Sequence, residues 1–505
     1  MIDSNKNKRV IHRPAGYLEL INRYDLDVIP NWHQSLVTTH GIHQKKNVNK
    51  TVEEIFPPKY WPGDTVGDHL EFALKYDGIN LAILAKIFSK INEKELLEYI
   101  QSKYTGKHVR IIWFLFEFLT DRLLPVNDLK LGNYFDLLDP GSYYTTSPSI
   151  KVPRQRIYNN LLGGRHFCPV IRRTDVLSRF ERENFSERCA NILSEYSQQL
   201  IKRALGYLYI KETRSSFEIE HIKPSSTRTD RFIALLQLAE KEDFCRKDRL
   251  IDIQNSIVDP RFKNTDYRKN QNFVGETFAW ERERIHFISP RPYNLPELME
   301  GLIYSHGLMK TGNVSPVIHA AAISYGFVFL HPFEDGNGRI HRFLIHNILA
   351  LKGFTPEGLI FPVSATMLEN PGDYDSSLEE YSKKILPLIN YSIDENGNLT
   401  VFNDTAVWYR YIDMTAQAES LYAFIEVTID KALKEELEFL ASYDKTKKAI
   451  QATVDMPDKL IDLFIRFCLQ NNGRLSERKY KDLFNFLKKN EIFQLEKIIQ
   501  SNYRL

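Results

Sequence analysis

Apolar residues recur at helical spacing along most of this chain, and the pattern predicts a mainly α-helical protein. Residues three and four positions apart share one helix face, which can then pack on a core. In the first third, the clear predicted helices are Asp68–Lys75, Asn80–Ile91, Glu93–Tyr104 and His108–Asp121. In the C-terminal part they are Ala406–Thr415, Ala418–Tyr443, Pro457–Gln470 and Glu477–Lys489.

Two apolar runs near the middle of the chain flank a short polar loop. The run Ala320–Leu330 predicts a buried helix that ends at Pro332, because proline restricts the residue before it to extended backbone. The run Arg339–Leu351 has apolar residues at helical spacing and predicts a second helix. The loop therefore leads into a helix N-terminus, where free N–H groups and the helix dipole favour an anion.

The loop and the start of the second helix, residues 331–342, read HPFEDGNGRIHR. An unperturbed histidine has a pKa of about 6.5, so we expect His331 to be mostly neutral at pH 7 and able to accept a proton from a hydroxyl. Asp335 supplies a hard oxygen ligand of the kind that Mg²⁺ takes together with substrate phosphates. This pair suits the transfer of a phosphate-containing group to a hydroxyl.

The remaining residues of the loop are those of an anion site. Gly336 and Gly338 allow positive φ and close approach of the backbone to a phosphate. Arg339 and Arg342 are three positions apart, so they share a helix face and can both contact a polyphosphate. Each residue type alone has a structural explanation: a satisfied histidine, a Gly-Asn-Gly turn, a solvated arginine face. Their combination in one loop favours phosphate chemistry.

The stretch resembles the signature of the Fic (Fido) family, His-Pro-Phe-x-Asp/Glu-Gly-Asn-Gly/Lys-Arg-x-x-Arg. Fic proteins mostly move AMP from ATP to a Ser, Thr or Tyr hydroxyl of a target protein and release pyrophosphate. The glycine at position 338 resembles the AMP-transferring branch of the family, because the kinase-like Doc branch carries Lys or Asn at this position. The resemblance covers roughly residues 190–395.

The resemblance implies a role for each residue of the signature. His331 is the expected general base, Phe333 the anchor in the core and Asp335 the Mg²⁺ ligand. Arg339 is expected to contact the α- and β-phosphates and Arg342 the γ-phosphate. The full set of residues expected to form the ATP site is Phe333, Gly336, Asn337, Gly338, Arg339 and Arg342.

Many Fic proteins inhibit themselves with a helix that carries Ser/Thr-x-x-x-Glu-Gly/Asn. Ser216 and Glu220 match this pattern in a predicted helix near residues 213–222, but His221 stands where the family has Gly or Asn. A Glu220 carboxylate paired with the last arginine of the signature would remove the side chain that orients the γ-phosphate. Glu218 is the alternative carboxylate, and an ordinary helix start with a capping pattern is the alternative structure.

A β-hairpin flap is predicted before the signature. The β-prone runs Asn272–Gly275 and Arg284–Ser289 flank a polar turn and resemble the Fic flap segments. Such a hairpin edge can bind a strand of the target protein by β-augmentation, so a target is expected to dock near residues 272–289. A surface hairpin without a partner is the alternative.

Composition sets outer bounds on the function. A net charge of +2 gives no support for nucleic-acid or membrane binding. Four scattered cysteines without CxxC spacing predict free thiols in a reducing compartment. The first residues lack the apolar run of a signal peptide, and no apolar run is long enough to span a bilayer, so a cytoplasmic protein is expected.

We divide the sequence into four regions. Residues 1–12 are a polar tail, and 13–185 a mainly helical N-terminal region. Residues 186–395 are the expected Fic core, and 396–505 a C-terminal helical region, either a cap on the core or a winged-helix-like module. A winged helix would leave nucleic-acid binding open despite the small net charge.

The resulting hypothesis is an autoinhibited, Mg²⁺-dependent protein adenylyltransferase that uses ATP. The alternatives are a nucleotide-sensing regulatory or DNA- or protein-binding module built on a Fic core, and an enzyme that also removes AMP from its targets. Retention of the histidine, the acid and both arginines favours an enzyme. UTP or CTP in place of ATP stays open.

Overall fold

A computed structural model describes residues 12–48, 50–279 and 282–504, apart from the side chains of 277–283. The described chain forms two compact units that are discontinuous in sequence. The first comprises residues 12–183, 226–354 and 370–422, and the second 184–225, 355–369 and 423–504.

The N-terminal part of the first unit contains helices together with two small sheets. Its helices are α1 (Tyr17–Tyr24), α2 (Val66–Phe72), α3 (Leu81–Lys90), α4 (Glu93–Ser102), α5 (Lys107–Thr120) and α6 (Asp175–Arg182). Its strands are β1 (His12–Ala15), β2 (His33–Thr38), β3 (Gln44–Val48), β4 (Thr51–Phe56), β5 (Phe135–Asp136), β6 (Ile150–Val152) and β7 (Ile157–Asn159). The four helices that the sequence predicts here are confirmed as α2 to α5, within a few residues at each end.

The two N-terminal sheets are not part of the sequence prediction. One has the strand order β1-β2-β4-β3, with β2 and β4 parallel and the other neighbours antiparallel. The other has the order β5-β7-β6. Helix starts in this region follow local capping rules: Thr65 accepts a hydrogen bond from Asp68 N, and Asn80 Oδ1 from Ile83 N at 3.1 Å. An apolar core centred on α3 and α5 holds this part together.

The central part of the chain continues with helices and one hairpin. The helices are α7 (Phe185–Ser194), α8 (Gln198–Glu218), α9 (Ser226–Leu238), α10 (Lys247–Ile257), α11 (Leu295–Thr311), α12 (Pro316–Leu330), α13 (Asn337–Leu351), α14 (Val363–Glu369) and α15 (Pro371–Ile385). The strands β8 (Phe273–Ala279) and β9 (Arg282–Ile288) pair antiparallel with two register shifts. The predicted flap hairpin is thereby confirmed, and residues 280–281 lie outside the described residues.

The C-terminal part is helical apart from one short hairpin. That hairpin is formed by β10 (Tyr391–Ile393) and β11 (Leu399–Val401), and the helices are α16 (Ala406–Arg410), α17 (Thr415–Val427), α18 (Lys434–Thr453), α19 (Asp458–Leu469), α20 (Glu477–Leu483) and α21 (Lys489–Tyr503). The described residues from 402 to 504 contain no strand. A winged-helix module needs a wing hairpin, so this alternative gains no support from the structure.

The helix before the signature is the most buried element of the first unit. Thirteen of the 15 residues of α12 are buried, and α12 packs on both α11 and α13. In the second unit, α8 packs on α14 and α18, and a separate apolar core lies among α18, α19 and α21. The mainly helical fold is confirmed.

Two further findings bear on the sequence analysis. All four cysteines are buried free thiols, in agreement with the prediction. Among the described residues, no helix combines the length and apolar character that a membrane span needs.

Candidate active site

His331 ends α12 in a left-handed backbone conformation. Its φ is 49° and its ψ 58°, and its N–H donates to Phe327 O at 2.9 Å. A non-glycine residue in this region costs about 1–2 kcal/mol, and such strain persists only where surrounding contacts impose it. The turn takes the chain out of α12 directly into the loop. The histidine that the sequence predicts as a base is therefore set at a sharp turn of the backbone.

The ring of His331 is half-buried and has a defined tautomer. Nδ1 lies 3.2 Å from Val328 O, and a carbonyl can only accept, so Nδ1 carries the proton. Nε2 therefore holds the lone pair that can take a proton from a hydroxyl. Burial and the neighbouring cation of Arg268 lower the pKa of His331 to about 4. The imidazole is neutral at pH 7.

A pair of reciprocal hydrogen bonds closes the loop after His331. Phe333 N donates to Asn337 Oδ1 at 3.0 Å, and Asn337 Nδ2 donates to Phe333 O at 2.7 Å. The Phe333 ring is fully buried and contacts Tyr267 and Phe327. Phe333 thus lies where an anchor is expected. The Asn337 side chain is occupied by loop closure, which leaves its backbone N–H as the group that can meet a phosphate.

The second helix, α13, starts at Asn337, directly after a left-handed Gly336. Gly336 has φ 93°, and a Cβ there would approach Val258 Cγ1 to 3.1 Å. Both the conformation and the close packing require glycine at this position. The N–H groups of the first residues of α13, including Gly338, have no acceptor within the helix. The predicted anion cradle is thus a true helix N-terminus.

Arg339 is completely buried and joins the loop to α10. Its Nη2 donates to Asp335 Oδ1 at 2.6 Å, and its Nη1 donates to Ile257 O at 3.0 Å. Arg228 donates to the same carbonyl through Nε and Nη2, at 3.0 and 2.7 Å. The carbonyl is the last of α10, so the cations meet the negative end of its dipole. Arg339 and Asp335 are thereby held side by side.

Arg342 is also buried, with 2% of the residue exposed. Its Nη1 donates to Tyr374 Oη at 3.3 Å. Together with the burial of Arg339, this excludes the alternative that the two arginines form a solvated helix face. His341, between them, lies against the rings of Tyr325 and Tyr374, and burial lowers its pKa to about 3.

Arg268 is a residue of the candidate site that sequence reasoning did not assign. It is 3% exposed, and burial lowers its pKa to about 10. Its Nε donates to His331 O at 2.8 Å, its Nη1 to Asn270 O at 2.7 Å and its Nη2 to Pro290 O at 2.6 Å. Its backbone N donates to Pro332 O at 2.8 Å. The only signal in the sequence was its position in the flap segment, which suggested no role.

The base of the flap hairpin is bonded to the signature loop by neighbouring side chains as well. Asn272 Nδ2 donates to Phe333 O at 3.2 Å, and Gln271 Nε2 donates to Ser289 O at 2.8 Å across the hairpin. Ser289 Oγ donates to Asn272 O at 2.7 Å. With Arg268, these bonds connect the flap base to the loop that carries His331.

Ser216 and Glu220 lie at the end of α8 in the second unit. Ser216 is buried on the helix, which ends at Glu218, and Glu220 lies in the turn that follows. His221 N donates to Glu218 O at 2.9 Å, and Ile222 N donates to Phe217 O at 3.1 Å. These are the two bonds of a Schellman motif, with His221 at its left-handed position and φ 55°.

This turn gives a physical reason for the family pattern. The residue after the glutamate takes the left-handed position, which glycine and asparagine adopt most readily. His221 accepts the same conformation with a side chain that suits it less well. The departure from the pattern therefore leaves the turn geometry intact.

Comparison with known proteins points to one family. Residues 244–349 match the Fic/DOC family model. The "Protein adenylyltransferase Fic" of Drosophila virilis is 30% identical over 122 residues, which are 24% of this chain and 23% of that protein. The protein of the same name from Drosophila mojavensis is 33% identical over 99 residues, 20% of this chain and 18% of that protein. The chain thus spans less than a quarter of the length of these curated relatives.

Solved structures show weaker likeness. A Fic family protein from Desulfovibrio desulfuricans G20 has a TM-score of 0.36 at 17% identity, over 65% of this chain and 88% of that chain. A Fic domain-containing signaling protein from Bacteroides thetaiotaomicron VPI-5482 has a TM-score of 0.39 at 16% identity, over 51% and 97%. Likeness at this level adds nothing to what the residues establish.

Proposed function

We propose that this chain, whose residues 244–349 match the Fic/DOC family model, is a protein adenylyltransferase that moves AMP from ATP to a Ser, Thr or Tyr hydroxyl of a target protein. The observation that carries the proposal is the state of His331. Its Nδ1 proton is held by Val328 O at 3.2 Å, so Nε2 is available as a base a few residues before a helix N-terminus with a buried arginine. The matched family model and the names of the relatives support the same activity.

The reaction is a displacement at the α-phosphorus. The hydroxyl oxygen of the target bonds to the α-phosphorus, and the bond from that phosphorus to the oxygen shared with the β-phosphate breaks. Pyrophosphate leaves with the electrons of that bond, and the hydroxyl proton goes to His331 Nε2. General-base assistance of this kind contributes about 10²–10⁴-fold in rate. Because the pKa of His331 is about 4, the ring is a base over the whole neutral range.

Phosphate binding is assigned to the start of α13. The N–H groups of Asn337 and Gly338 and the positive end of the helix dipole receive phosphate oxygens. Arg339 supplies a buried cation whose low exposure keeps its interaction with an anion strong. Arg342, one turn further along α13, takes the γ-phosphate.

The proposal includes Mg²⁺, held by Asp335. This carboxylate is 36% exposed on its side chain and accepts from Arg339 through Oδ1, so it can still offer oxygen to a hard cation. The described residues contain no group of three or more His, Cys, Asp or Glu arranged for a metal ion. A single carboxylate fits Mg²⁺, which takes its other ligands from substrate phosphates and water. The ion, when bound, neutralises charge on the phosphates.

Glu220 is the proposed inhibitory carboxylate. What supports it is local to the second unit: the Schellman turn sets Glu220 directly before the left-handed residue, as the family pattern requires. Ser216, four residues earlier, is buried on the last turns of α8. Glu218 is exposed, which makes it the weaker alternative.

The target docks on the flap. No other strand of the described residues pairs with the outer edges of β8 and β9, and an extended segment of the target can add to one of these edges. The base of the same hairpin is hydrogen-bonded to the loop of His331 through Arg268 and Asn272. A target strand bound on the flap would therefore be held in a fixed position relative to His331.

Label transfer from ATP tests the proposal. Wild type, Glu220→Gly and Glu220→Gly/His331→Ala are incubated with Mg²⁺ and ATP labelled at the α- or the γ-phosphate, with cell extract as a source of targets. We expect Glu220→Gly to transfer the α label and not the γ label, and the double variant to transfer neither. Transfer of the γ label would indicate a kinase. No transfer by any variant, with UTP and CTP also tried, would favour the nucleotide-sensing alternative.

A further inference from the structure

A second pocket lies in the N-terminal part of the first unit, apart from the signature residues. Its volume is about 500 Å³, and it is built from the residues just before α2, from α2 itself, from the turn after α2 and from the end of α4. We call it the tyrosine–lysine pocket, after its main lining residues Tyr60, Tyr76, Tyr99, Lys59, Lys75 and Lys103. Its volume is in the range of sites for small ligands, 300–1,000 Å³. None of the chemistry proposed above uses it.

The walls of the pocket are aromatic. Tyr60, Tyr76 and Tyr99 are half-buried, and Phe72 is buried behind them. Tyr76 packs on Phe72 with ring centroids 4.7 Å apart and on Tyr60 at 5.9 Å. The polar ends of the tyrosines and their partly exposed rings offer a surface on which a planar group can stack.

The wall formed by Tyr99 depends on a glycine. A Cβ on Gly67 would lie 2.2 Å from Tyr99 Cγ, so the ring rests directly on the backbone of α2. Glycine in a helix is unfavourable because it has more freedom to lose on folding. Glycine is nevertheless present at position 67 of α2, and its lack of a side chain allows the Tyr99 ring to line the pocket.

The turn after α2 is also built in an unusual way. Ala73–Asp77 form a π-helical segment, a rare conformation that is frequently found at functional sites. The last residue of this segment, Asp77, is fully buried and fixes its end: its carboxylate accepts hydrogen bonds from Tyr17 N at 3.0 Å and from Ser35 Oγ. The segment carries Lys75 and Tyr76, two of the lining residues.

The charges in the pocket leave two cations for a ligand. Asp68 accepts from Thr65 and lies 3.5 Å from Lys103 Nζ, and Glu71 accepts from Tyr99 Oη at 2.8 Å. Both carboxylates are thus engaged. Lys59 and Lys75, in contrast, form no ion pair with any carboxylate of the described residues.

These two lysines lie beside the aromatic rings. The distance from Lys59 Nζ to the Tyr60 centroid is 5.5 Å, and from Lys75 Nζ to the Tyr76 centroid 5.0 Å. A hydrogen bond to Tyr76 raises the pKa of Lys75, so this lysine stays charged at neutral pH. Stacking rings next to ammonium groups that form no ion pair with the described carboxylates match a molecule with both a planar ring and an anion.

We propose that the tyrosine–lysine pocket binds a mononucleotide, with the base on the tyrosine rings and the phosphate between Lys59 and Lys75. Aromatic stacking and positively charged side chains are the means by which proteins bind single-stranded nucleic acid without reading its sequence, and a mononucleotide offers the same base and phosphate. The site is separate from the signature and does not depend on the proposed AMP transfer.

Binding of AMP to the full-length chain, measured by calorimetry, tests this site. Arg339→Ala serves as the background because it weakens the signature site. In that background we compare Lys59→Gln/Lys75→Gln with a matched control, Lys90→Gln/Lys94→Gln, which removes two exposed lysines outside the pocket. Tyr60→Ala tests the stacking wall. AMP, adenosine and inorganic phosphate are titrated separately.

We expect AMP to bind the background variant, Lys59→Gln/Lys75→Gln to weaken this binding at least tenfold, and the control pair to leave it unchanged. Tyr60→Ala should weaken AMP and adenosine and leave phosphate unaffected. The proposal is overturned if the Arg339→Ala background binds no AMP, or if both lysine pairs weaken AMP equally. Binding of a single-stranded oligonucleotide without AMP would replace the small-ligand site with a nucleic-acid surface.

Discussion

Two helices of this chain end on a histidine in the left-handed conformation, and the surroundings of the two histidines differ. His331 has φ 49° and His221 has φ 55°. At His331 the carbonyl accepts from Arg268 at 2.8 Å, the ring is half-buried and Nδ1 meets a carbonyl. At His221 the residue is exposed, and the turn is closed by the backbone bonds of a Schellman motif.

The comparison separates strain that serves chemistry from strain that serves only a turn. The conformation costs about 1–2 kcal/mol at either position. Around His331, hydrogen bonds from Arg268 hold the backbone and the contact with Val328 O selects one ring tautomer, so the strain agrees with the proposed role of the ring as a base. Around His221, the backbone alone makes the turn, and glycine would do so at lower cost. The following predictions test this difference.

The largest expected effect is the loss of His331. In the Glu220→Gly background, His331→Ala should lower α-label transfer about 10²–10⁴-fold, because the general base is removed. ATP affinity should not change, since phosphate binding is assigned to α13. His221→Ala is the matched control and should leave transfer intact. Loss of both transfer and ATP binding would show that His331 is structural.

The second effect is on nucleotide binding. Arg339→Ala should weaken ATP binding about 10–100-fold, because a charge-assisted hydrogen bond contributes about 1.5–3 kcal/mol. Arg261→Ala provides the control, since Arg261 follows the same end of α10 but is 80% exposed on its side chain and pairs with Asp259. Calorimetric titration with ATP measures both. An unchanged affinity in Arg339→Ala would remove this residue from the phosphate site.

The third effect concerns the pH dependence set by Arg268. A base loses activity as the pH falls through its pKa, so transfer should decline only near pH 4 in the parent protein. Arg268→Gln removes a cation that lowers this pKa, and the decline should move to higher pH. It should stay below the ordinary value of about 6.5, because burial is the larger cause.

A conservative variant separates charge from geometry at the same position. Arg268→Lys keeps the cation, so the pH of the decline should stay near that of the parent. The rate should still fall, since an ammonium cannot bridge His331 O and Pro290 O with the planar fork of a guanidinium. pH–rate profiles of the three proteins measure this. Identical profiles for the Lys and Gln variants would argue against an electrostatic role.

The smallest effect is on stability. His221→Gly should raise the free energy of unfolding by about 0.5–1 kcal/mol, because relief of about 1–2 kcal/mol of strain exceeds the entropy lost by glycine. His331→Gly should bring no such gain, since the ring contacts disappear with the strain. Denaturant titration of both variants gives the two values. A gain at 331 as large as that at 221 would remove the distinction between the two turns.

Much of the fold around the signature was predictable, because its patterns are local. The predicted helix Arg339–Leu351 is observed as Asn337–Leu351, and the predicted hairpin runs are observed as β8 and β9. The N-terminal sheets were not predictable in the same way. Strand Thr51–Phe56 pairs parallel with His33–Thr38, and nothing near either strand identifies its partner.

The candidate site was likewise predictable only in part. The loop residues and their order could be read from the sequence, and the resemblance to the Fic signature follows from that order. The contacts that each side chain makes in the site could not be read from the sequence. Asn337 closes the loop through its amide, and Arg268 reaches His331 O from 63 residues earlier in the chain.

By itself, the sequence determined the residues on which the proposed chemistry rests: a histidine, an aspartate and two arginines around a helix start, in an order typical of one family. It also determined the helices that flank them, since helical periodicity acts over a few residues. Only the tertiary structure decided which distant side chains support the loop, as Arg268 does from 63 residues before His331, and which segments bring Tyr60, Tyr76 and Tyr99 to one pocket. Hydrogen bonds and burial between distant segments set these properties, and no local pattern records them.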